Sequence, residues 1–451
     1  MTHTRPNVIW VIADQFRGQA MGHRGDPNVS TPNLDRLAYE GTHFPAATSG
    51  TPLCTPARAS FLTSLYPHES SAPTHNSPLD PDKPTIATVL EGDGYRTCWI
   101  GKWHLDGGID HGERYRVVPA GRRGGFRDWF GFEINNRPFN TWINVDIDGE
   151  ATVKHLPGFQ TDVLTDVLLE WLADAGAHDD PFFAVLSVEP PHNPCVAPAE
   201  DMARHRPADV VFRDNVPDVA RVRDLAAVEL AGYYAAIENL DANVGRIRDR
   251  LDELGLREDT YIMVFSDHGD MGGSHGQFRK SAPWEEAIRV PFIVGGPTQE
   301  HQWYEKARAD SVLNHVDVAP TTLGLCGVAV PEWMRGYDYS GRLRLRGPDP
   351  LNLAGAGREA EPRSAYLSLP VPSGHADSID RPYRGVVTVD GWKYVCLEGQ
   401  PWLMFDLNED PYEQVNLAFN LAFAEKRREL HEELAAWIER TDDRFELPVL
   451  A

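Results

Sequence analysis

The chain has 451 residues, 41% of them hydrophobic and 24% charged, with a formal net charge of −24. That length suits one large α/β domain with a smaller companion, and the balance is that of a soluble globular protein. The acidic surplus argues against nucleic acid and anionic membranes as partners, but a pocket that concentrates positive charge could still take a small anionic substrate. The sequence has no apolar run of about 18 residues, so no transmembrane helix is expected. The N-terminal stretch "MTHTRPNVIWVIADQ" has too short an apolar core for a signal peptide. It reads as a buried strand in a cytoplasmic protein. Five scattered cysteines, Cys54, Cys98, Cys195, Cys326 and Cys396, argue against a disulfide framework or a Cys-rich zinc site.

In chain order, "NVIWVIA" (7–13) is the first continuous apolar run expected to be a strand buried on both faces. "TPNLDRLAYEG" follows, with Thr31 as N-cap, Pro32 in the first helical position and Gly41 as stop. "CTPARASFLTSLY" predicts a helix from Pro56 with Thr55 as its N-cap. Further buried strands are predicted at "YRTCWI" (95–100), "FFAVLSV" (182–188) and "TYIMVFS" (260–266). Apolar residues at three- and four-residue spacing predict one long helix over 224–254, ended by Gly255. Residues 340–365, rich in Gly, Pro and Arg, mark a boundary. Beyond it, antiparallel strands joined by an Asp390-Gly391 turn precede a final helix over about 422–441. This gives an α/β main domain over 1–350, with a mostly parallel sheet covered by helices, and a small α+β subdomain over 351–451.

Each buried strand is followed by polar groups: Asp14 and Gln15 after the first, Lys102 and His104 after the second, His192 after the third, Asp267 and His268 after the fourth. Ligands of open parallel sheets bind beyond the carboxyl ends of the strands, so these groups are expected at one edge. Taken singly, an Asp after a strand can be no more than a helix cap. Two carboxylates, an amide and an imidazole together suit a divalent cation, Ca²⁺ or Mg²⁺ by oxygen content, with Mn²⁺ left open by the imidazole. Cys54 lies at a helix start, where the backbone favours developing negative charge, with Arg58 one turn on. Alone, a cysteine such as Cys54 is read first as an idle core thiol.

"CTPAR" at 54–58, "GKWH" at 101–104, "PPHNP" at 190–194, "DHGDMGGSHGQFRK" at 267–280, "EEAIRVPFIV" at 285–294, "NHVDVAPT" at 314–321 and "MFDLNEDPYEQVNLA" at 404–418 together resemble the type I, formylglycine-dependent sulfatases of the alkaline phosphatase superfamily. The resemblance implies an alkaline-phosphatase-like α/β/α sandwich with a small C-terminal sheet. It implies that a formylglycine-generating enzyme oxidises Cys54, and that the hydrated aldehyde attacks the sulfur of a small anionic sulfate ester. It assigns Asp14, Gln15, Asp267, His268 and modified Cys54 to one divalent metal, Ca²⁺ first, with Mg²⁺ or Mn²⁺ as alternatives. Arg58 would orient the diol. Lys102 and Lys280 would hold sulfate oxygens, His104 would serve the second hydroxyl, and His192 would protonate the leaving alcohol. Asn76 would contact sulfate. His275, His315 and Asp317 are read as structural, the last two bracing a loop and capping a helix. A homo-oligomer is left open.

Two departures stand out. The metal set is Asp-Gln and Asp-His rather than all-carboxylate-plus-Asn, a variant shared with phosphonate monoester hydrolases, although those lack the Lys-x-His of "GKWH". Ser64 replaces the Gly that usually ends the extended Cys54 signature. The segment 119–144, rich in Arg, aromatic residues and Asn, is either a packed insertion or a wall for a sugar ring. Three functional classes fit: a sulfuric ester hydrolase acting on a sulfated sugar or a small alkyl or aryl sulfate, a phosphonate or phosphodiester hydrolase, and a non-catalytic anion binder. The presence of Cys54, Lys102, His104 and Lys280 argues against the last.

Overall fold

A computed structural model describes residues 5–75, 77–107, 115–147, 150–297, 311–343, 361–374 and 378–450. Asn76 and most of the 340–365 boundary lie outside them. The main sheet is built from β1 (Asn7–Asp14), β2 (Thr42–His43), β3 (Arg96–Lys102), β4 (Asp128–Phe132), β5 (Thr141–Ile147), β6 (Glu150–Leu156), β7 (Phe182–Pro191), β8 (Thr260–Ser266) and β9 (Phe292–Gly295). Their order is β2-β9-β8-β1-β7-β3-β4-β5-β6. The central strands β8, β1, β7, β3 and β4 run parallel, and the flanking pairs are antiparallel.

Alternation along β1 explains the layers. Val8, Trp10 and Ile12 enter one core with the helices Cys54–Thr63, Ile86–Gly92 and Val318–Cys326. Ile9, Val11 and Ala13 enter the other with Pro32–Glu40, Gln160–Ala175 and Ala220–Leu254. Both faces are therefore covered, which is why the four strands read as continuous apolar runs. This is the α/β/α arrangement the sequence suggested.

A second sheet, β10 (Ser364–Leu369), β11 (Tyr383–Thr388), β12 (Trp392–Leu397) and β13 (Gln400–Asp406), is antiparallel throughout. Gly391, at φ 84°, makes the predicted turn between β11 and β12. One face packs on Leu53, Met271, Ala282, Trp284 and Ile288, and the other carries the helix Ala424–Arg440.

Thr31 takes the predicted N-cap position without capping through its side chain, and the Thr55 cap assignment is corrected. The Thr31 hydroxyl donates to Asp35 and accepts from the Gly22 N–H, and the helix N–H groups of Asn33 and Leu34 instead donate to the Asp241 carboxylate. The helix predicted from Pro56 starts at Cys54 with Leu53 as N-cap, because the Thr55 hydroxyl is turned to the carbonyls of His75 and His104. It ends at Thr63, with Ser64 left-handed at φ 58°. That backbone explains why glycine suits the position, since a side chain there costs about 1–2 kcal/mol. Ser64 offsets this cost by donating to the Val316 carbonyl at 2.6 Å and accepting from the Gly336 N–H at 2.9 Å.

Ser64→Gly and Ser64→Ala should each lose these bonds, about 1–3 kcal/mol, and only glycine recovers about 1 kcal/mol of strain. In chemical denaturation both variants are expected below the parent, with the alanine variant lowest. A glycine variant less stable than the alanine one would contradict this account.

Candidate active site

The carboxyl ends of β8, β1, β7 and β3 lie side by side, and the predicted polar groups meet there. β1 and β3 reach Asp14 and Lys102 themselves, so both side chains leave from within strands. A Cβ on Gly101 (φ 99°) would collide with the Ser187 carbonyl, which makes glycine the residue that lets β3 approach β7 next to Lys102.

Asp14 is fully buried and faces two cations. Lys102 Nζ donates to Asp14 Oδ2 at 2.6 Å, and Arg58 Nη2 lies 3.4 Å from the same oxygen. Burial opposes the Asp14 charge, but Lys102, His192, Lys280 and Arg58 more than offset it and hold the carboxyl well below the usual range. Arg58 also binds Asp267 Oδ2 through Nε at 3.1 Å, Ser187 Oγ at 2.9 Å and the Lys102 carbonyl at 3.1 Å. Every face of the guanidinium is thereby fixed.

Cys54 Sγ lies 3.0 Å from Lys280 Nζ, 3.1 Å from His268 Nε2 and 3.6 Å from Asp14 Oδ1. Burial, reinforced by Asp14, pushes its thiol up to about 11 against the opposing pull of Lys280 and Lys102. The unmodified thiol is thus a poor nucleophile despite its helix N-terminus. Lys280 also donates to His192 Nε2 at 2.9 Å and to Gln15 Oε1 at 3.3 Å. His192 Nδ1 faces the Asn193 carbonyl at 2.8 Å, so His192 is the neutral tautomer that accepts from Lys280. Burial and Lys280 both hold its pKa well below the ordinary value.

His104 is buried at φ 58°, with no hydrogen-bond partner on either ring nitrogen among the described residues. Its ring stacks on His75 at 5.5 Å. Burial and Lys102 keep it neutral.

Metal-donor atoms of Asp14, Cys54, Asp267 and His268 lie within 4.8 Å of one another. His268 Nδ1 is held by the Gly269 carbonyl at 2.9 Å, which leaves the Nε2 lone pair to face Cys54 Sγ (3.1 Å), Asp14 Oδ1 (3.5 Å) and Asp267 Oδ1 (3.7 Å). A neutral imidazole facing two carboxylates has no proton to share with them, and a cation reconciles all three. Gln15, left-handed at φ 69°, donates Nε2 to Asp270 Oδ2 at 2.5 Å, which turns its carbonyl oxygen toward Lys280 and the cluster. The set therefore fits a divalent cation.

Three contributors escaped the sequence reading. Asp270 sets the Gln15 amide, Ser187 holds Arg58, and Glu189 stands 3.9 Å from Lys102. Asp270 lies inside a quoted motif and Glu189 directly precedes one, so their acidity beside "DH" and "PPH" was the available signal. His315 and Asp317 brace a loop as expected: His315 Nε2 meets the Ser266 carbonyl, and Asp317 accepts from the Asn314 and Tyr337 N–H groups. His275 sits apart with Glu286 and Glu413, whose carboxylates are already paired with Arg213 and Lys393.

The sequence model of the sulfatase family matches residues 6–328. The ulvan-active sulfatase of Formosa agariphila is 33% identical over 445 residues, covering 98% of this chain and 83% of that protein. The N-acetylglucosamine-6-O-sulfatase of Bacteroides thetaiotaomicron is 25% identical over 506 residues, covering 94% and 85%. A solved sulfatase structure from Bacteroides fragilis superposes with a TM-score of 0.84 at 25% identity, covering 99% and 98%. The phosphonate monoester hydrolase of Agrobacterium radiobacter shares the fold, with a TM-score of 0.76 at 22% identity and 97% and 96% coverage. On the family match and the 33% relative together, the chain belongs to the sulfatase family and is a sulfuric ester hydrolase.

Proposed function

We propose that this sulfatase hydrolyses the sulfate ester of a sugar through a formylglycine made from Cys54. The observation that carries the proposal is the placement of Cys54 at a helix start, in contact with Lys280, His268 and Asp14. The sugar-directed names of two relatives support the substrate class.

In this reading a formylglycine-generating enzyme recognises Cys54, Pro56 and Arg58, and the resulting aldehyde takes up water as a gem-diol. Sγ marks where one diol oxygen would lie. A divalent cation held by Asp14, Gln15, Asp267 and His268, Ca²⁺ or otherwise Mg²⁺ or Mn²⁺, would supply Lewis acidity at residue 54. Lys102 and Lys280 neutralise sulfate oxygens as charge develops, and burial makes each contact stronger than it would be in water. The Lys280–His192 pair carries the proton needed by the leaving alcohol. His104, neutral and unpartnered among the described residues, takes the proton of the second hydroxyl. One diol oxygen would bond to sulfur as the bond from sulfur to the alcohol oxygen breaks, and loss of the second hydroxyl's proton would then re-form the carbonyl and break the bond from residue 54 to the departing sulfate.

A second reading, phosphonate or phosphodiester hydrolysis, is favoured by Gln15 and His268 in the donor set. Lys102 and His104 favour sulfate.

Protein co-expressed with a maturation enzyme should carry an aldehyde or its hydrate at position 54 by peptide mass, and should release sulfate from sugar or aryl sulfates. A residual thiol despite competent maturation would sink the formylglycine route. Lys102→Ala should lower kcat/KM by about 10²–10³, and chelation should abolish turnover until a divalent cation is restored. Paired aryl sulfate and phenylphosphonate esters separate the two readings, and faster phosphonate turnover would put phosphonate hydrolysis first. In unmatured protein at pH 8, a thiol titrating near 11 is thiolate to about one part in a thousand. Iodoacetamide should therefore spare Cys54 until the chain is unfolded, and rapid native labelling would contradict this burial.

A further inference from the structure

Most of the Arg- and aromatic-rich segment 119–144 is spoken for. Phe126, Trp129, Phe132 and Trp142 are core residues. Arg122 pairs with Asp106, Arg123 with Asp146 and Arg127 with Glu91. What remains is the connection from β4 to β5. There Asn136, Arg137, Phe139 and Asn140 reach the surface, Phe139 with 55% exposure, and Arg137 has no ion pair among the described residues.

This loop is held rigidly where the chemistry occurs. β4 runs parallel beside β3, so its end opens on the same sheet edge, with Phe132 in register with Lys102. The buried Glu189 carboxylate, 3.9 Å from Lys102 and three residues before His192, accepts from the N–H groups of both Asn135 and Asn136 at 2.8 Å. Gln160 Nε2 donates to the same carboxylate at 2.9 Å, and the Gln160 N–H donates to the Pro138 carbonyl at 2.6 Å. Asn135 Nδ2 ties the loop internally, to the carbonyls of Arg137 and Asn140. The Phe139 ring is backed by Phe159 at 5.2 Å. A loop fixed this firmly while showing an aromatic ring, a guanidinium and two amides to solvent is pre-organised for a ligand.

We propose that residues 135–140, anchored on Glu189, form a leaving-group subsite for a second sugar ring that bears an anionic group, next to the sulfated one. The proposal rests on the sugar-sulfatase reading. Phe139 offers a face for the apolar side of a pyranose, the exposed amides suit its hydroxyls, and Arg137 suits a carboxylate or a further sulfate. The enzyme would then prefer acidic sulfated oligosaccharides to isolated sugar sulfates.

The test is kcat/KM of the matured full chain on para-nitrophenyl sulfate, N-acetylglucosamine 6-sulfate, and oligosaccharides from ulvan, chondroitin sulfate, heparan sulfate and carrageenan. An acidic oligosaccharide is expected to exceed para-nitrophenyl sulfate. Phe139→Ala and Arg137→Ala should each lower the ratio of the two by about tenfold, mainly through KM, the size of one good contact. Arg137→Lys should recover part of the loss. Uronate-bearing against multiply sulfated oligosaccharides tells which anion Arg137 meets. The subsite is overturned if no oligosaccharide exceeds the aryl ester, or if both alanine variants keep the parent's ratio. Sulfate release from no sugar probe, with or without turnover of the aryl ester, would overturn the sugar-sulfatase reading and the subsite with it, whereas turnover of N-acetylglucosamine 6-sulfate with no gain on any oligosaccharide would remove the subsite only.

Discussion

Asp14 and Lys102 meet at 2.6 Å with neither in contact with water, and the site is organised around that contact. A lone buried charge costs several kcal/mol, so each added ion must bring its counter-ion. Arg58 answers Asp14 and Asp267 together. Lys280 has no carboxylate of its own among the described residues and rests on Cys54, Gln15 and His192. Lys102 and Arg58 thus meet Asp14 and Asp267, with Glu189 a third carboxylate 3.9 Å from Lys102, in a protein whose formal charge is −24. Lys280 is the cation left to meet an anion, while the carboxylate side, with the His268 lone pair, suits a cation. The two demands are met within one residue's reach of Cys54.

The C-terminal sheet takes part in this arrangement. Leu367, Leu369, Val395 and Phe405 pack on Leu53 and Met271, which flank the Cys54 helix start and the 267–280 loop. Lys393, wholly buried on β12, pairs with Glu285 and with Glu413 and donates to the Pro283 carbonyl. The segment leading from Lys280 back to β9 is therefore held from outside the main sheet. Rigidity at the chemical centre comes from both units.

The strands and the sheet edge were legible because burial on both faces forces unbroken apolar runs, and because a polar group follows each run directly. The long helix was legible from its apolar spacing and from Gly255, which adopts the left-handed cap at φ 69°. Neither Thr31, which holds its predicted N-cap position, nor Thr55, which lies inside its helix, caps through its hydroxyl, for one reason: the hydroxyls found partners elsewhere. Asp241, which does serve the first of these helices, lies some two hundred residues away in sequence. Glu189 and Asp270 were hidden in the same way. Each acts through a neighbour brought close only by the sheet order, and no local spacing encodes that order. The Arg-rich segment looked uniform in sequence because composition cannot distinguish an arginine paired with Asp106 from one left in solvent.

Cys54, Pro56 and Arg58 occupy the first turn of a helix whose ten residues are all buried, beneath two sheets. A protein-sized catalyst has no approach to such a segment once the chain has folded. Any enzymatic alteration of Cys54 therefore belongs to the interval between synthesis and folding, and the two processes compete in time. A chain that folds first keeps its thiol until it unfolds again, so under the proposed formylglycine route the active fraction of a preparation would be set by a race of rates rather than by an equilibrium.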